Sequence, residues 1–219
     1  NENILIQFNL INSAYKNGVD NFINLGSSCI YPKNSNQPIK EDYLLSSKLE
    51  KTNEAYALAK IMGLKLCEYY NNQYGKSYFT LMPCNLYGPN DNFDPSNSHF
   101  IPALIRKITN SKVKNIKKTE IWGTGNPKRE FMHVDDLASA VLFLLNNWHP
   151  QQNNSPKDKN GNTLNYLNVG TGLDISIKEL ANLISELTHF RGEIEWDTQK
   201  PNGTPKKQLD VSRIKNLGW

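Results

Sequence analysis

The chain has 219 residues, of which 38% are hydrophobic, and a formal net charge of +4. This composition supports a packed core and excludes wholesale disorder. The charge is mild and no polybasic arm occurs, so we expect no nucleic-acid partner. No apolar run approaches the roughly 20 residues that span a bilayer, so we expect no membrane partner.

Three cysteines occur, at Cys29, Cys67 and Cys84. An odd number with these spacings matches neither a zinc site nor a disulfide framework. Reduced thiols are typical of the cytosol. We therefore expect a cytoplasmic protein without a metal site.

Helices alternate with short apolar strands along the chain. Apolar residues at helical spacing predict helices near 4–15 (ended by Gly18), 52–74 (capped by Thr52 or Asn53 and ended by Gly75), 102–109, 134–147, 176–188 (capped by Ser176) and 211–217. Apolar runs predict strands near 21–27, 77–85, 120–122, 164–169 and 194–196. The polar stretch 149–162 predicts a loop. This alternation predicts an α/β fold with a parallel sheet.

Tyr56 and Lys60 are four residues apart on the second predicted helix and share one face of it. A nearby ammonium lowers the pKa of a phenol, so the pair could move a proton to or from a carbonyl oxygen. By itself the pattern is common, and a surface pair is its ordinary explanation. Ser27 follows a predicted strand, where ligands bind in open α/β sheets, and its hydroxyl could bond the same oxygen. The three residues together favour a catalytic site.

Seven segments carry a more specific resemblance, and they run in order through nearly the whole chain. They are LGSSCIYP (25–32), TNEAYALAK (52–60), MPCNLYGPNDNF (82–93), PSNSHFIPAL (95–104), WGTGNPKREFMHVDD (122–136), NVGTG (168–172) and KPNGTPKK (200–207). In these segments the chain resembles the GDP-L-fucose synthase family of the extended short-chain dehydrogenases. The resemblance implies a doubly wound, Rossmann-type parallel sheet that binds NADP, and a smaller C-terminal α/β region that binds a GDP-sugar.

The resemblance also implies a division of the chain. Residues 1–93 would be the remainder of the dinucleotide-binding domain. Residues 94–219 would be mainly the substrate-binding region, with 120–147 and 163–170 as candidates for a return to the first sheet.

The resemblance assigns two sets of catalytic residues. Ser27, Tyr56 and Lys60 would form a reductive triad that also binds the cofactor. Cys29 would be the base and His99 the acid that invert two carbons beside a ketone. The ordinary pKa values of a thiol and an imidazole, about 8.5 and 6.5, suit such an exchange. A reactive thiolate needs a nearby positive charge, which a protonated His99 is expected to supply.

The remaining predicted site residues would bind the cofactor or the substrate. Asn85 is expected to face the cofactor or the sugar, and His99 to contact the cofactor. Arg129 is expected to bridge the substrate's phosphate oxygens, with a surface salt bridge to Glu130 or Asp135 as its alternative. Lys107 stands where the family often has arginine, and keeps the charge without the planar fork. Trp122 and Lys200 complete the substrate-binding set. His133 and Asp135 are expected to cap a helix, and Cys67 and Cys84 to pack.

The glycine-rich turn that cradles the cofactor diphosphate in this superfamily is missing, and the chain begins at Asn1 with residues typical of the middle of a fold. We therefore expect an N-terminally truncated fragment. Its sheet would lack its first strands and expose an edge. Alone, it would bind cofactor poorly, and it carries no segment that separates NADP from NAD preference.

The implied activity of the complete enzyme is NADPH-dependent epimerisation and reduction of GDP-4-keto-6-deoxy-D-mannose to GDP-L-fucose. The implied assembly is a homodimer that pairs the helices 3–16 and 52–74. Two alternatives remain. One is another nucleotide-sugar enzyme, such as a 4-epimerase or a 4,6-dehydratase, although a dehydratase usually has Thr-Asp-Glu where this chain has Ser-Ser-Cys. The other is a non-catalytic nucleotide-sugar-binding protein.

Overall fold

The computed structural model describes residues 2–219. The α-helices are α1 (Glu2–Lys16), α2 (Glu54–Tyr74), α3 (Phe100–Val113), α4 (Val134–Asn147), α5 (Ile177–Thr188) and α6 (Ser212–Leu217). The strands are β1 (Asn21–Leu25), β2 (Ser77–Pro83), β3 (Asn85–Tyr87), β4 (Lys118–Trp122), β5 (Lys128–His133), β6 (Tyr166–Val169), β7 (Asp174–Ser176), β8 (Glu193–Asp197) and β9 (Lys206–Lys207). Within residues 2–219, no helix is both long enough and apolar enough to cross a membrane.

A parallel sheet of order β1-β2-β6 forms the centre of the main core. Every residue of β2 is buried, as expected for a central strand covered on both faces. Tyr78 packs with Ile11 of α1 and Cys67 of α2. Its neighbour Phe79 points to the other face, where its ring lies 4.6 Å from that of Trp148, just after α4. Helices therefore cover both faces, which confirms the predicted doubly wound α/β fold.

The remaining strands form one four-stranded and one two-stranded sheet. β5 pairs with β3 and β9 in parallel and with β7 in antiparallel orientation, and β4 pairs with β8 in parallel. α3 and α5 pack together over a second core that contains Ile108, Ala181 and Ile121. β6 joins the first sheet, whereas β5 joins β3 instead. The division into a cofactor-binding and a substrate-binding domain stays a prediction.

The outer edge of β1 pairs with no strand of residues 2–219. Its last residue, Leu25, is 44% exposed although it is apolar. The expected open edge is therefore present in this structure.

Most predicted element ends agree with the structure, and the differences have local causes. Gly75, with a φ of 64°, ends α2 as predicted, because glycine adopts this left-handed conformation without a steric cost. Asn53 is the N-cap residue of α2, one of the two predicted, but its side chain forms no capping bond, and a 3-10 turn at Lys51–Asn53 precedes the helix. The sequence also failed to predict β3, β5, β7 and β9, which are short or strongly charged strands without a clear apolar pattern.

The cap of α5 gives a test of this local analysis. Ser176 Oγ accepts a hydrogen bond from Glu179 N at 3.1 Å, and Glu179 Oε2 accepts one from Ser176 N at 2.9 Å. Ser176→Ala should lower the free energy of unfolding by about 1 kcal/mol, because a helix N-terminus loses its partner. Ser185→Ala, in the same helix, removes only a bond back to Ala181 O and should cost much less. Urea denaturation measures both variants, and equal losses would contradict the role of the cap.

Candidate active site

The carboxyl end of β1 and the first turns of α2 bring together the residues of the predicted triad. Lys60 Nζ donates a hydrogen bond to Leu25 O at 2.8 Å, which fastens α2 to the end of β1. The same ammonium lies 5.7 Å from the centroid of the Tyr56 ring. Ser27 follows β1, and its Oγ accepts a hydrogen bond from Cys29 N at 3.2 Å. Its hydroxyl is also close enough to Tyr56 to influence the pKa of that phenol.

Cys29 has an ammonium group at its sulfur. Lys207 Nζ, from β9, donates to Cys29 Sγ at 3.3 Å. Burial of the thiol acts to raise its pKa, but the charge of Lys207 and hydrogen bonds from Ser27, Lys207 and Asn53 outweigh it. The pKa of Cys29 is therefore lowered, which favours the thiolate, the form that acts as a base or nucleophile.

Lys207 is a site residue that the sequence analysis missed. Its segment, 200–207, belongs to the resemblance, but the sequence does not say which of two consecutive lysines faces the site. The structure separates them: Lys206 Nζ lies 3.1 Å from Asp174 Oδ2, and Lys207 reaches Cys29. Neighbouring residues of a strand point to opposite sides, so only one of the two can reach the sulfur.

The prediction that a protonated His99 lowers the Cys29 pKa is wrong, because Lys207 supplies the charge. His99 occupies the N-cap position of α3 and is exposed. Within residues 2–219 its side chain forms no hydrogen bond, and it is not among the groups that shift the pKa of Cys29. Its predicted role as an acid stays a prediction.

The prediction that Lys60 lowers the Tyr56 pKa is also wrong in this structure. Burial and the neighbouring Cys29 raise the pKa of Tyr56, and the hydrogen bond with Ser27 opposes them only in part. Lys60 directs its ammonium at Leu25 O, and burial lowers its own pKa. Tyr56 is therefore a neutral phenol, which makes it a proton donor and not an acceptor.

The two other cysteines pack, as predicted. Both are buried, and burial raises the pKa of each to about 12. Asn85, after Cys84, donates its Nδ2 to Glu130 O at 2.9 Å and so joins β3 to β5. The predicted contact of Asn85 with the cofactor stays a prediction.

Three of the four predicted substrate-binding residues lie in or beside one loop, residues 200–205, which we call the 200–205 loop. Trp122 is 64% exposed, and Lys200 Nζ lies 5.4 Å from the centroid of its ring. Asn202 Oδ1 accepts hydrogen bonds from Thr124 N at 2.7 Å and Thr124 Oγ1 at 3.0 Å, which hold the loop against the turn after β4. Arg129 lies beside Gly203.

Arg129 does not form the alternative surface salt bridge. In the described part of the chain it pairs with neither Glu130 nor Asp135, and its Nη1 donates to Lys128 O at 2.8 Å. Burial lowers the pKa of this guanidinium, which is a sign that its charge lacks a counter-ion. A phosphate would supply one. Lys107 is exposed on α3, away from any ion pair within residues 2–219.

His133 and Asp135 have the structural role that was predicted. His133 Nδ1 accepts a hydrogen bond from Asp135 N at 3.2 Å and so caps α4. The imidazole is therefore occupied by its bond to the N-terminus of α4. We assign no catalytic role to either residue.

Comparison with known proteins agrees with this geometry. The profile of the NAD dependent epimerase/dehydratase family matches residues 1–158. The chain belongs to this family. It is also 48% identical, over 220 aligned residues, to GDP-L-fucose synthase from Escherichia coli (strain K12), and the match covers 100% of this chain and 67% of that protein. It spans only 62–63% of the plant GDP-L-fucose synthases that it matches, so it represents part of their length.

Two solved structures share the fold. One is a GDP-6-OMe-4-keto-L-xylo-heptose reductase from C. jejuni, with a TM-score of 0.91, 35% identity, and coverage of 100% of this chain and 70% of that one. The other is a GDP-L-fucose synthetase from Naegleria fowleri bound to NADP, with a TM-score of 0.86, 27% identity, and coverage of 99% and 65%. The observed sheets therefore belong to a nucleotide-sugar enzyme fold.

The contact between Lys207 and Cys29 predicts a pH profile. Lys207→Met should raise the pKa of the Cys29 thiol, because burial would act with less opposition. Since the thiolate exists above the pKa, the variant should react more slowly with iodoacetamide near neutral pH, and its midpoint should move to higher pH. Mass spectrometry measures alkylation of each cysteine, with Cys67 and Cys84 as unreactive references. Lys206→Met is the matched control. An unchanged midpoint in Lys207→Met, or an equal shift in the control, would contradict the assignment.

Proposed function

We propose that the complete protein converts GDP-4-keto-6-deoxy-D-mannose to GDP-L-fucose with NADPH. The observation that carries this proposal is the presence of a candidate base and a candidate acid in one site. Cys29 has a lowered pKa and suits a base, whereas Tyr56 has a raised pKa and suits an acid. A reduction alone needs only the acid, so the activated thiol favours an additional proton abstraction at carbon. The E. coli relative, named as a GDP-L-fucose synthase, supports the same reaction.

The residues present fit one half of an NADP molecule. Lys60 has three N–H donors, and within residues 2–219 it uses one of them, on Leu25 O. The others are available for a ribose beside Ser27 and Tyr56, with Asn85 and His99 as further contacts. When bound, the cofactor supplies the reducing equivalent for the ketone. Residues 1–93 provide the nicotinamide side, while no glycine-rich turn for the diphosphate occurs in these 219 residues. The match to an NADP-bound structure supports this choice of cofactor.

Epimerisation uses Cys29 and His99. A ketone acidifies the hydrogens on its neighbouring carbons, and the Cys29 thiolate takes one of them from one face of the sugar. Tyr56 donates a hydrogen bond to the ketone oxygen, where negative charge develops. His99 returns a proton to the carbon from the opposite face. Lys207 favours the ionised form of the thiol before this step and stabilises the thiolate when it is restored.

Reduction uses Tyr56. Its phenol is neutral in the structure and gives its proton to the C4 oxygen as that oxygen becomes an alkoxide. The phenolate that remains accepts a hydrogen bond from Ser27, which within residues 2–219 is the one group at Tyr56 that lowers its pKa. The same group therefore serves both reactions, first as a hydrogen-bond donor and then as an acid.

The diphosphate and the base of the substrate bind at the 200–205 loop. Arg129 supplies a cation without a counter-ion in residues 2–219, and Lys200 a second one beside Trp122. The exposed indole ring offers a flat surface for a purine. Lys107, on α3, adds a more distant positive charge for a phosphate oxygen.

The complete protein acts as a homodimer in the cytoplasm. α1 exposes Leu5, Ile6 and Leu10, which are 57%, 55% and 57% accessible, and the adjacent α2 exposes Leu58. Apolar residues concentrated on neighbouring helices are typical of an interface, so these helices pair with their copies in a second subunit. A reducing compartment keeps the Cys29 thiol available.

The direct test is turnover by the complete protein. With NADPH and GDP-4-keto-6-deoxy-D-mannose, we expect NADPH oxidation and, by NMR, GDP-L-fucose as product. A reduced sugar with the original configuration at both neighbouring carbons would contradict the epimerase part and indicate a simple reductase. Tight binding of the GDP-sugar without turnover would contradict catalysis and indicate a binding protein.

Two variants should separate the two reactions. Tyr56→Phe should lower the rate of reduction by about 10²–10⁴-fold, because the proton donor is gone. Cys29→Ser should slow the exchange of solvent deuterium into the sugar while NADPH binding stays unchanged, since a serine hydroxyl does not ionise near neutral pH. Exchange is followed by mass spectrometry and binding by NADPH fluorescence. Exchange at the wild-type rate in Cys29→Ser would refute its role as a base.

A further inference from the structure

Glu130 is a buried carboxylate that the proposed reaction does not use. It lies on β5 with 0% of its surface exposed. A buried charge is costly unless it has partners, and Glu130 has them. Its Oε2 accepts a hydrogen bond from Leu209 N at 2.7 Å, and its Oε1 accepts one from Gly172 N at 2.7 Å. N–H donors at both oxygens are the pattern of an ionised carboxylate.

These partners place the carboxylate next to β9. Arg129 is the register partner of Lys207, so Glu130 follows directly where the short ladder between β5 and β9 ends. β9 itself has only two residues, which leaves the backbone beyond Lys207 without strand bonds to β5. The bond from Leu209 N to Glu130 holds this backbone two residues beyond the lysine. The same segment is also held by the Gln37 side chain, which bonds to Gln208 N, and by a strand-like bridge to Ile39.

The carboxylate also has little freedom to move. Thr171 Oγ1 lies 3.4 Å from its Oε1, and a side chain at Gly170 would collide with it. Gly170 and the Gly172 N–H thus lie close to Oε1, whereas Oε2 bonds to the backbone two residues after β9. Movement of Glu130 would therefore move the segment that carries Lys207.

We infer that Glu130 is a positioning residue, which holds the β9 segment so that the Lys207 ammonium stays at the Cys29 sulfur. This inference rests on the proposed function only in that Cys29 is the base of the reaction. Within residues 2–219 the Glu130 carboxylate forms no hydrogen bond with Cys29 or with a predicted substrate-binding residue, and it acts through Lys207. The other groups at the sulfur, Ser27, Tyr56 and Asn53, belong to different elements and are independent of it.

The sign of the effect distinguishes positioning from simple electrostatics. Removal of a negative charge near a thiol, with nothing else changed, lowers the pKa of the thiol because repulsion is lost. Displacement of Lys207 has the opposite effect, since the thiolate loses its cation. A neutral substitution at Glu130 therefore raises the pKa of Cys29 if Glu130 positions Lys207. If Glu130 does not position it, the pKa of Cys29 falls or stays unchanged.

The experiment measures the pH dependence of Cys29 alkylation in the complete protein for Glu130→Gln and Glu130→Asp. The glutamine keeps the shape but places an N–H₂ against a backbone N–H, and the aspartate keeps the charge but falls short of Leu209. For both variants we expect the midpoint of the alkylation curve to move to higher pH. Near pH 7, alkylation of Cys29 should be about three- to tenfold slower. In the double variant with Lys207→Met, Glu130→Gln should add no further rise, because the rise runs through Lys207.

Glu179→Gln, in the exposed cap of α5, is the control for loss of stability, and its midpoint should equal that of the wild type. Circular dichroism confirms that each variant is folded, and Glu130→Asp gives the same readings if Glu130→Gln does not fold. An unchanged or lower midpoint in a folded variant, or additive shifts in the double variant, would overturn the inference. The readout does not need the substrate. A raised midpoint together with normal deuterium exchange in Cys29→Ser would leave the role of Glu130 standing and defeat the proposed function instead.

Discussion

The account depends on one contact, between the ammonium of Lys207 and the sulfur of Cys29. The two residues are 178 positions apart in the sequence, and the fold brings Nζ and Sγ to 3.3 Å. Burial alone raises the pKa of a thiol, as it does for Cys67 and Cys84. Of the three cysteines, Cys29 is the one whose sulfur accepts a hydrogen bond from an ammonium and the one whose pKa is lowered. The chemistry of the site is therefore a consequence of where β9 lies.

Buried polar groups hold the C-terminal segment against the β1 side of the molecule. Asn168, at the end of β6, accepts a hydrogen bond from the Tyr31 hydroxyl at 2.6 Å, and its Nδ2 donates to Ile39 O at 2.9 Å and Asp210 O at 3.1 Å. Tyr31 follows Cys29 by two residues, and Asp210 follows Lys207 by three. One buried amide thus links the segments that carry the thiol and the ammonium. Such a network is stable only when each member has its partners, which makes the arrangement specific.

The sequence could predict those features that depend on local patterns. The bounds of α4 and the ends of α2 and α5 follow from apolar spacing and cap residues, and the Tyr56–Lys60 pair follows from helical geometry. Lys207 and Glu130 could not be predicted, because their roles arise from a two-residue strand pairing between distant segments. Tertiary neighbours also explain why the sequence analysis assigned the wrong groups to two pKa shifts, namely His99 for Cys29 and Lys60 for Tyr56. A pKa depends on the neighbours that the tertiary fold provides, and these neighbours lie far away in the sequence.

The most direct test is a crystal structure of the complete protein with NADP and a GDP-sugar bound. The distances to measure run from the sugar carbons beside C4 to Cys29 Sγ on one face and to the His99 imidazole on the other. The account predicts that both groups lie within about 4 Å of these carbons, with the Tyr56 hydroxyl at hydrogen-bond distance from the C4 oxygen. A structure in which the sugar binds away from Cys29, or in which no acid lies on the face opposite the thiol, would contradict it.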